Sequence, residues 1–366
     1  MPMLDDALSE EFKARLFIYG PPKMKKTWWM ARAAEVGLNV TILDCDGEGY
    51  QIARLVKPEA RKRIAVINLK SRFNQPVMAG FVRALLKGSV FLWDEQDQKF
   101  VPNPSMMNPT HSHVLVNVKN LNLRDLLVID SWTGTVTSIA LQCAVDGGLD
   151  LSSGTELAQA RETGAMRDMY FQTGAVADWM IDQFTALPCH LGIIGHVQTY
   201  EKQKTVVEGG RKKQITEWTR TQPISTSGTH AAKLSGKFSD FFFFKQVGID
   251  IRISTESKAD RDGGSRIIPP GDYVWGDKTQ MHQSLNFVDY WKIAGQKSIE
   301  NNPEYSSQAF KFYRAGEGPE ITQPKTASAT AATKPNLIGN ANVAPASPLK
   351  IATGAISKTS PFAKKS

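Results

Sequence analysis

The segment of the chain best suited to chemistry is Gly20-Pro21-Pro22-Lys23-Met24-Lys25-Lys26-Thr27. It follows the apolar run Ala14–Tyr19 and leads into a stretch, Lys26 to Gly37, that reads as a helix. A strand, a loop and a helix in this order aim backbone N–H groups at anionic oxygens. Lys26 is placed to neutralise the β and γ phosphates of a nucleoside triphosphate, and the Thr27 hydroxyl to complete a Mg²⁺ shell. The candidate cradle for ATP and Mg²⁺ therefore runs from Gly20 to Trp28. Its metal carboxylate is Asp130, at the end of the apolar run Asp125-Leu-Leu-Val-Ile-Asp130. One position departs from the usual GxxxxGK[ST] pattern, because Lys25 stands where glycine is customary. Glycine there allows positive φ or a close backbone approach, which Lys25 would adopt only at some cost.

Hydrolysis also needs a group to activate water, and Ser131 follows Asp130 where a glutamate would serve. The run Leu43-Asp44-Cys45-Asp46-Gly47-Glu48 offers carboxylates instead, at the C-terminal end of a strand, where ligands bind in open α/β sheets. Further along, Tyr200 to Thr221 holds Lys202, Lys204, Arg211, Lys212, Lys213 and Arg220 in two β-like runs around Glu208-Gly-Gly-Arg211. It reads as a basic hairpin whose cations suit phosphates, while Tyr200 and Trp218 offer faces for base stacking. His111 and His113 flank one serine in a Pro-rich loop, and their sequence neighbourhood lacks the further ligands a zinc site needs.

These residues require a scaffold of short buried strands. Apolar runs at 14–19, 39–43, 64–68, 125–130 and 190–195 alternate with helical patterns, which predicts an α/β core with a mostly parallel sheet covered on both faces. Met169, Thr173, Val176, Met180 and Phe184 recur at helical spacing ahead of Pro188. Residues 87–113 read as an inserted hairpin and loop, and the runs 240–247 and 249–254 as an adjoining hairpin or sheet extension. The core is expected over 14–300, after a short N-terminal segment, 1–13.

Taken together, the GPPK-type loop, the Ile-Asp130-Ser131 strand end, the strand ending Gly195-His196-Val197-Gln198 and the late Ser265-Arg266 resemble the RecA-like P-loop ATPases. The closest likeness is to the phage-encoded group that acts in recombination and single-strand annealing. The resemblance covers roughly residues 14–270. It implies that Asp46, or next Glu48, orients the attacking water, and that His196 and Gln198 sense the γ-phosphate. It implies that the basic hairpin contacts single-stranded DNA, with a second DNA-facing loop at Asp146 to Thr163. Assembly as a homo-oligomer, ring or filament, is also implied, with a basic residue reaching the neighbour's nucleotide. Arg266 is the choice among Lys233, Lys237, Arg252 and Arg266. A nucleotide-holding annealing protein without turnover, and a helicase-like motor or loader, stay open as alternatives.

Composition bounds the rest. The 366 residues are 41% hydrophobic and 22% charged, and no apolar run is long enough for a membrane helix. The start, MPMLDDALSEEFKARLF, lacks the basic-then-apolar layout of a signal peptide. Cys45, Cys143 and Cys189 form no CxxC pair, which argues against a disulfide scaffold and for the cytoplasm. Net charge is +8, half of it in the Ala-, Thr-, Pro- and Lys-rich stretch 315–366. That tail buries too little apolar surface to order itself, so it reads as disordered and basic, either a solubilising or protein-partner-binding leash or an inert extension.

Overall fold

The computed structural model describes residues 13–71, 76–149, 159, 162–208, 211–258, 260–275 and 284–301. The N-terminal segment up to residue 12 and the tail 315–366 lie outside the described residues, as does most of the loop Asp146 to Thr163.

The strands form where β-branched, aromatic and leucine residues run unbroken. β1 (Arg15–Tyr19), β2 (Asn39–Asp44), β3 (Ile64–Asn68), β7 (Asp125–Asp130) and β8 (His190–Gly195) match the apolar runs closely. The inserted region contributes β4 (Val90–Asp94), β5 (Lys99–Val101) and β6 (His113–Asn117) as a separate three-stranded sheet. The third strand goes beyond the expected hairpin and loop: Val114 and Val116 pair back onto β4. The later strands are β9 (Val197–Glu208), β10 (Arg211–Pro223), β11 (Asp240–Val247), β12 (Asp250–Ser254), β13 (Gly264–Ser265) and β14 (Asp272–Val274).

The central sheet is ordered β14-β12-β11-β1-β8-β7-β2-β3, with β13 beside β11. The six strands from β11 to β3 run parallel; β12, β13 and β14 are antiparallel additions at one edge. A parallel strand covered on both faces must be apolar at every position. β7 and β8 are buried throughout. Alternate residues serve two cores: Phe17, Tyr19, Leu127 and Ile129 face one, and Leu16, Ile18, Leu126 and Val128 the other.

On the first face lie α4 (Val77–Leu86), α5 (Trp132–Asp146) and α6 (Ala165–Ala186). α6 buries Met169, Thr173, Met180 and Phe184, with Val176 half-buried, so its spacing is that of an amphipathic helix. The short helix α7 (Gly228–Leu234) adds Leu234 to this core. On the second face lie α1 (Lys26–Ala31), its 3₁₀ continuation Arg32–Val36, α3 (Pro58–Arg61) and α8 (Phe287–Asn301). The remaining helix, α2 (Gly49–Ala53), follows β2. Gly37, in the left-handed conformation at φ 95°, ends the helical segment begun by α1.

Trp29 fastens α1 to the far end of the described chain. It is fully buried among Phe242, Phe244, Phe287 and Tyr290, and its indole N–H donates to the Leu285 carbonyl at 3.1 Å. Replacing it by alanine leaves a large cavity and an unpaired carbonyl. Trp29→Ala is expected to cost about 3–5 kcal/mol of folding stability, read from urea or thermal unfolding. A cost below about 1 kcal/mol would show that α1 is held by something else.

Candidate functional site

The site forms at the C-terminal ends of the parallel strands, where β1, β8, β7 and β2 lie side by side. Backbone ties draw the loops together. Gly20 N–H donates to the Gly195 carbonyl at 3.3 Å, and Cys45 N–H to the Asp130 carbonyl. Gly20 fits because it has no side chain: a Cβ there would sit 2.3 Å from the Phe244 carbonyl oxygen.

Lys25 takes the left-handed conformation, φ 56° and ψ 25°, at the start of α1. The glycine-like geometry is thus adopted by lysine, at a cost of roughly 1–2 kcal/mol. Its ammonium lies 5.3 Å from the ring centre of Trp28 and 4.9 Å from that of Trp275. Each cation–π contact returns roughly 0.5–1 kcal/mol, which offsets the strain. Lys23 is also left-handed, at φ 65°. Pro22, Lys23 and Lys25 are exposed, Pro21 and Trp28 are half-buried, and Met24 is buried.

Lys26 and Thr27 are buried, and they point at the two partners their types call for. Lys26 Nζ donates to the carbonyls of Gly20 (2.8 Å) and Pro21 (2.6 Å). Burial lowers its pKa to about 8, against the opposing pull of Asp130 and Asp46. Thr27 Oγ1 donates to Asp130 Oδ2 at 2.6 Å, joining residues 103 positions apart. Burial raises the Asp130 carboxyl to about 7, with the Thr27 hydroxyl working the other way and Asp46 and Asp44 adding to the rise.

Asp46 sits at the rim. Its Oδ2 lies 3.4 Å from His196 Nε2, and its Oδ1 accepts from Ser131 Oγ at 3.4 Å. The His196 bond is the main reason its pKa falls below the usual carboxylate range; Ser131 and Lys26 also lower it, against burial. Asp46 is held there by Asp44, whose buried carboxylate accepts backbone N–H bonds from Asp46 (3.0 Å), Gly47 (2.8 Å) and Gly49 (2.7 Å). His196 N–H donates to Thr133 Oγ1 at 3.2 Å, while the ring Nδ1 is buried without a hydrogen-bond partner.

Lys26, Thr27, Asp130, Asp46 and His196 are therefore brought together, whereas Glu48 and Gln198 stand apart, and Arg266, Lys237 and Arg252, expected to reach a neighbour's nucleotide, lie elsewhere in the fold. Glu48 lies on the exposed turn, with no polar side-chain contact to the loop among the described residues. Gln198 is exposed on β9 and pairs with Gln222. Arg266 is exposed and its N–H bonds the Ser239 carbonyl. It follows Ser265, which pairs with Asp240 at the start of β11, the sheet edge opposite the loop. Ser265 anchors that edge by donating to Asp240 and accepting from Ile267 and Ile268 N–H. Lys237 pairs with Asp182 at 2.6 Å, and Arg252 lies on β12.

The basic hairpin is a long two-stranded ribbon, β9–β10, that leaves β8 directly after His196. Its register opposes Lys202 with Trp218, Lys204 with Ile215, Lys213 with Val206 and Arg220 with Tyr200. Directly paired positions share a face, so these eight positions lie on one side of the ribbon. Lys204 and Lys213 are exposed, and Arg220 pairs with Asp262 at 2.7 Å. The side chains of Tyr200, Lys202, Arg211, Lys212 and Trp218 lie outside the described residues.

The sequence reading missed three participants: Ser131 as a partner of Asp46, Asp44 as the clamp of its turn, and Trp275 beneath Lys25. Asp44-x-Asp46-Gly47 carried a local signal, because Asp followed by Gly favours side-chain-capped turns. Trp275 carried none, being 250 residues from Lys25.

No protein-family model matches the chain, and no curated protein does.

The shifted carboxyl of Asp130 yields a stability prediction. Its pKa in the fold, about 7, lies above the ordinary 3.8, so its contribution is complete below pH 3.8 and is lost as pH rises through about 7. Asn keeps an acceptor for Thr27 and stays neutral. Without nucleotide or Mg²⁺, Asp130→Asn should match the wild type near pH 4 and exceed it at pH 8, by on the order of 1–3 kcal/mol. Urea midpoints across that range check this, and parallel curves would refute it.

Proposed function

We propose that the chain is a RecA-like ATPase that binds Mg-ATP at Gly20–Trp28 and single-stranded DNA on the β9–β10 ribbon, working as an oligomer in DNA annealing or recombination. The observation that carries the reading is the 2.6 Å bond between Thr27 and Asp130 with the buried ammonium of Lys26 alongside. A lysine and a hydroxyl from neighbouring residues meet a carboxylate 103 positions further along the chain at one loop. β8 lies between β1 and β7, so His196 emerges between the loop and the carboxylates.

The residues fit the ligands. Lys26 spends its hydrogen bonds on two loop carbonyls, which phosphate oxygens would replace with better charge matching. Asp46 and Asp130 act on Lys26, and Asp44 and Asp46 act on Asp130, so carboxylates outnumber the ammonium, an imbalance that a divalent cation would correct. Thr27 and Asp130 would hold Mg²⁺, directly or through water. When bound, the ion neutralises charge on the phosphate oxygens.

Asp46 is the group this chain offers to water. Its ionised carboxylate, steadied by His196 and Ser131, accepts a hydrogen bond from the nucleophile. Attack on the γ-phosphorus breaks its bond to the β–γ bridging oxygen, and ADP leaves with that electron pair. The proton of the water passes to Asp46. Lys26 offsets the charge on the transferring group. Among the described residues no helix is long and apolar enough to cross a membrane.

Phosphate release, with and without single-stranded DNA, tests the reading. Lys26→Ala should lose nucleotide affinity and at least about 100-fold in turnover. Asp46→Asn should keep affinity and lose turnover by a similar factor. Equal rates in wild type and both variants would defeat the proposal. Tight binding without phosphate release in the wild type would leave a nucleotide-holding annealing protein.

A further inference from the structure

Outside the nucleotide crevice, the three-stranded insert gathers a second group of ligating side chains. Asp94 ends β4 and His113 begins β6, and the two are paired directly across the ladder. His113 is 4% exposed, and its Nε2 has no hydrogen-bond partner. That nitrogen lies 3.5 Å from Asp94 Oδ2 without a hydrogen bond to it. His111 Nδ1 approaches the same oxygen at 2.9 Å and lies 4.0 Å from Asp97 Oδ2. The other oxygen of Asp94 is occupied by the N–H groups of Gln96 (3.0 Å) and Asp97 (2.9 Å), which fixes the direction of Oδ2. Asp94 is itself 2% exposed.

The two histidines alone lacked partners in the local sequence. Strand pairing supplies them, because β6 returns onto β4 and lays His111 and His113 over the turn that carries Asp94 and Asp97. A buried imidazole nitrogen with no hydrogen-bond partner, 3.5 Å from an equally buried carboxylate oxygen, is a polar atom left unsatisfied in the free chain. A cation ligated by both resolves this.

We propose that Asp94, Asp97, His111 and His113 form a binding site for a zinc-class divalent ion. Two imidazole nitrogens and two carboxylate oxygens are a donor set that zinc accepts in tetrahedral geometry. Mg²⁺ and Ca²⁺ prefer oxygen donors throughout, so the paired histidines select against them. Asp94, Asp97 and His111 already converge, their ligand atoms lying within 4.8 Å of one another, and His113, 3.5 Å from Asp94, would close the fourth position on binding, so the proposed ion is structural. It pins the β4–β5 turn to the segment entering β6. In the free chain that junction is held by bonds that include Glu95 N–H to the Ser112 carbonyl (3.1 Å), Ser112 N–H to Gln96 Oε1 (2.8 Å) and the His111–Asp94 contact (2.9 Å).

The test uses the untagged full chain, stripped with a chelator and reloaded with zinc sulfate in the absence of nucleotide. Zinc is counted by plasma mass spectrometry after gel filtration, and cobalt loading reports geometry by its visible absorption. The wild type should retain about one zinc ion per chain and give the intense cobalt bands of a tetrahedral site. Its melting temperature should rise with zinc. His113→Gln should lose all three signals. His111→Gln, at a half-exposed position where folding is not at stake, should lower zinc affinity at least about tenfold with an unchanged circular dichroism spectrum. Wild-type protein that retains no zinc overturns the proposal. So does a folded His111→Gln that binds zinc as the wild type does. Because no nucleotide is present, either failure leaves the phosphate-loop reading untouched.

Discussion

Placing the ammonium of Lys26 and the carboxylates of Asp44 and Asp130 in burial at one end of the parallel strands, with Asp46 at the rim, is the constraint on which the structure turns. Such a cluster cannot be fully ionised in a dry environment without partners, so burial pushes Lys26 down and Asp130 up. The fold tolerates the conflict by local substitutes. Loop carbonyls stand against Lys26, the Thr27 hydroxyl against Asp130, and three backbone N–H groups against Asp44. Each substitute is weaker than a full counter-charge, so the free protein carries an electrostatic penalty at this crevice. Under the proposed function, a phosphate chain with a divalent ion would relieve it.

The loop that bears Lys26 is held by contacts from far along the chain. Lys25 keeps its left-handed backbone with help from Trp28 on the same helix and Trp275 beyond β14. Trp29 anchors the next residue of α1 to Leu285, Phe287 and Tyr290. On the other side, Gly20 lies so close to the Phe244 carbonyl that β11 shapes the loop's entry. The cradle is local in sequence, but its rigidity comes from residues between 242 and 290.

This division explains what the sequence disclosed. Strands such as Asp125–Asp130 and His190–Gly195 were legible to the residue, because burial on both faces demands an unbroken apolar run. Lys26, Thr27 and Asp130 were legible because their types and their places at element ends are dictated by the same chemistry. Lys25 was legible as a position needing positive φ, though not its partner Trp275. Pairing between distant strands leaves little local trace, so β6 joining β4 was missed, and with it the meeting of His111 and His113 with Asp94. For the same reason the place of Arg266, at the end of the sheet where β11 starts, has no local trace and is revealed only by the pairing of Ser265 with Asp240.

The ribbon shows how a surface element and the crevice share material. β9 starts one residue after His196, so the residue that touches Asp46 is also the hinge of the ribbon. On the return strand, Ile224 N–H bonds the His196 carbonyl at 2.8 Å, and Ser225 accepts from the Trp132 indole at 3.3 Å, two residues beyond Asp130. Arg220 grips Asp262, whose carbonyl accepts from Tyr19 OH immediately before Gly20. Both strands of the ribbon therefore end on residues adjoining the phosphate loop or its carboxylates. The base of the ribbon and the crevice around Asp46 are thus built from shared residues: His196 accepts from Ile224 N–H through its carbonyl and meets Asp46 through its ring.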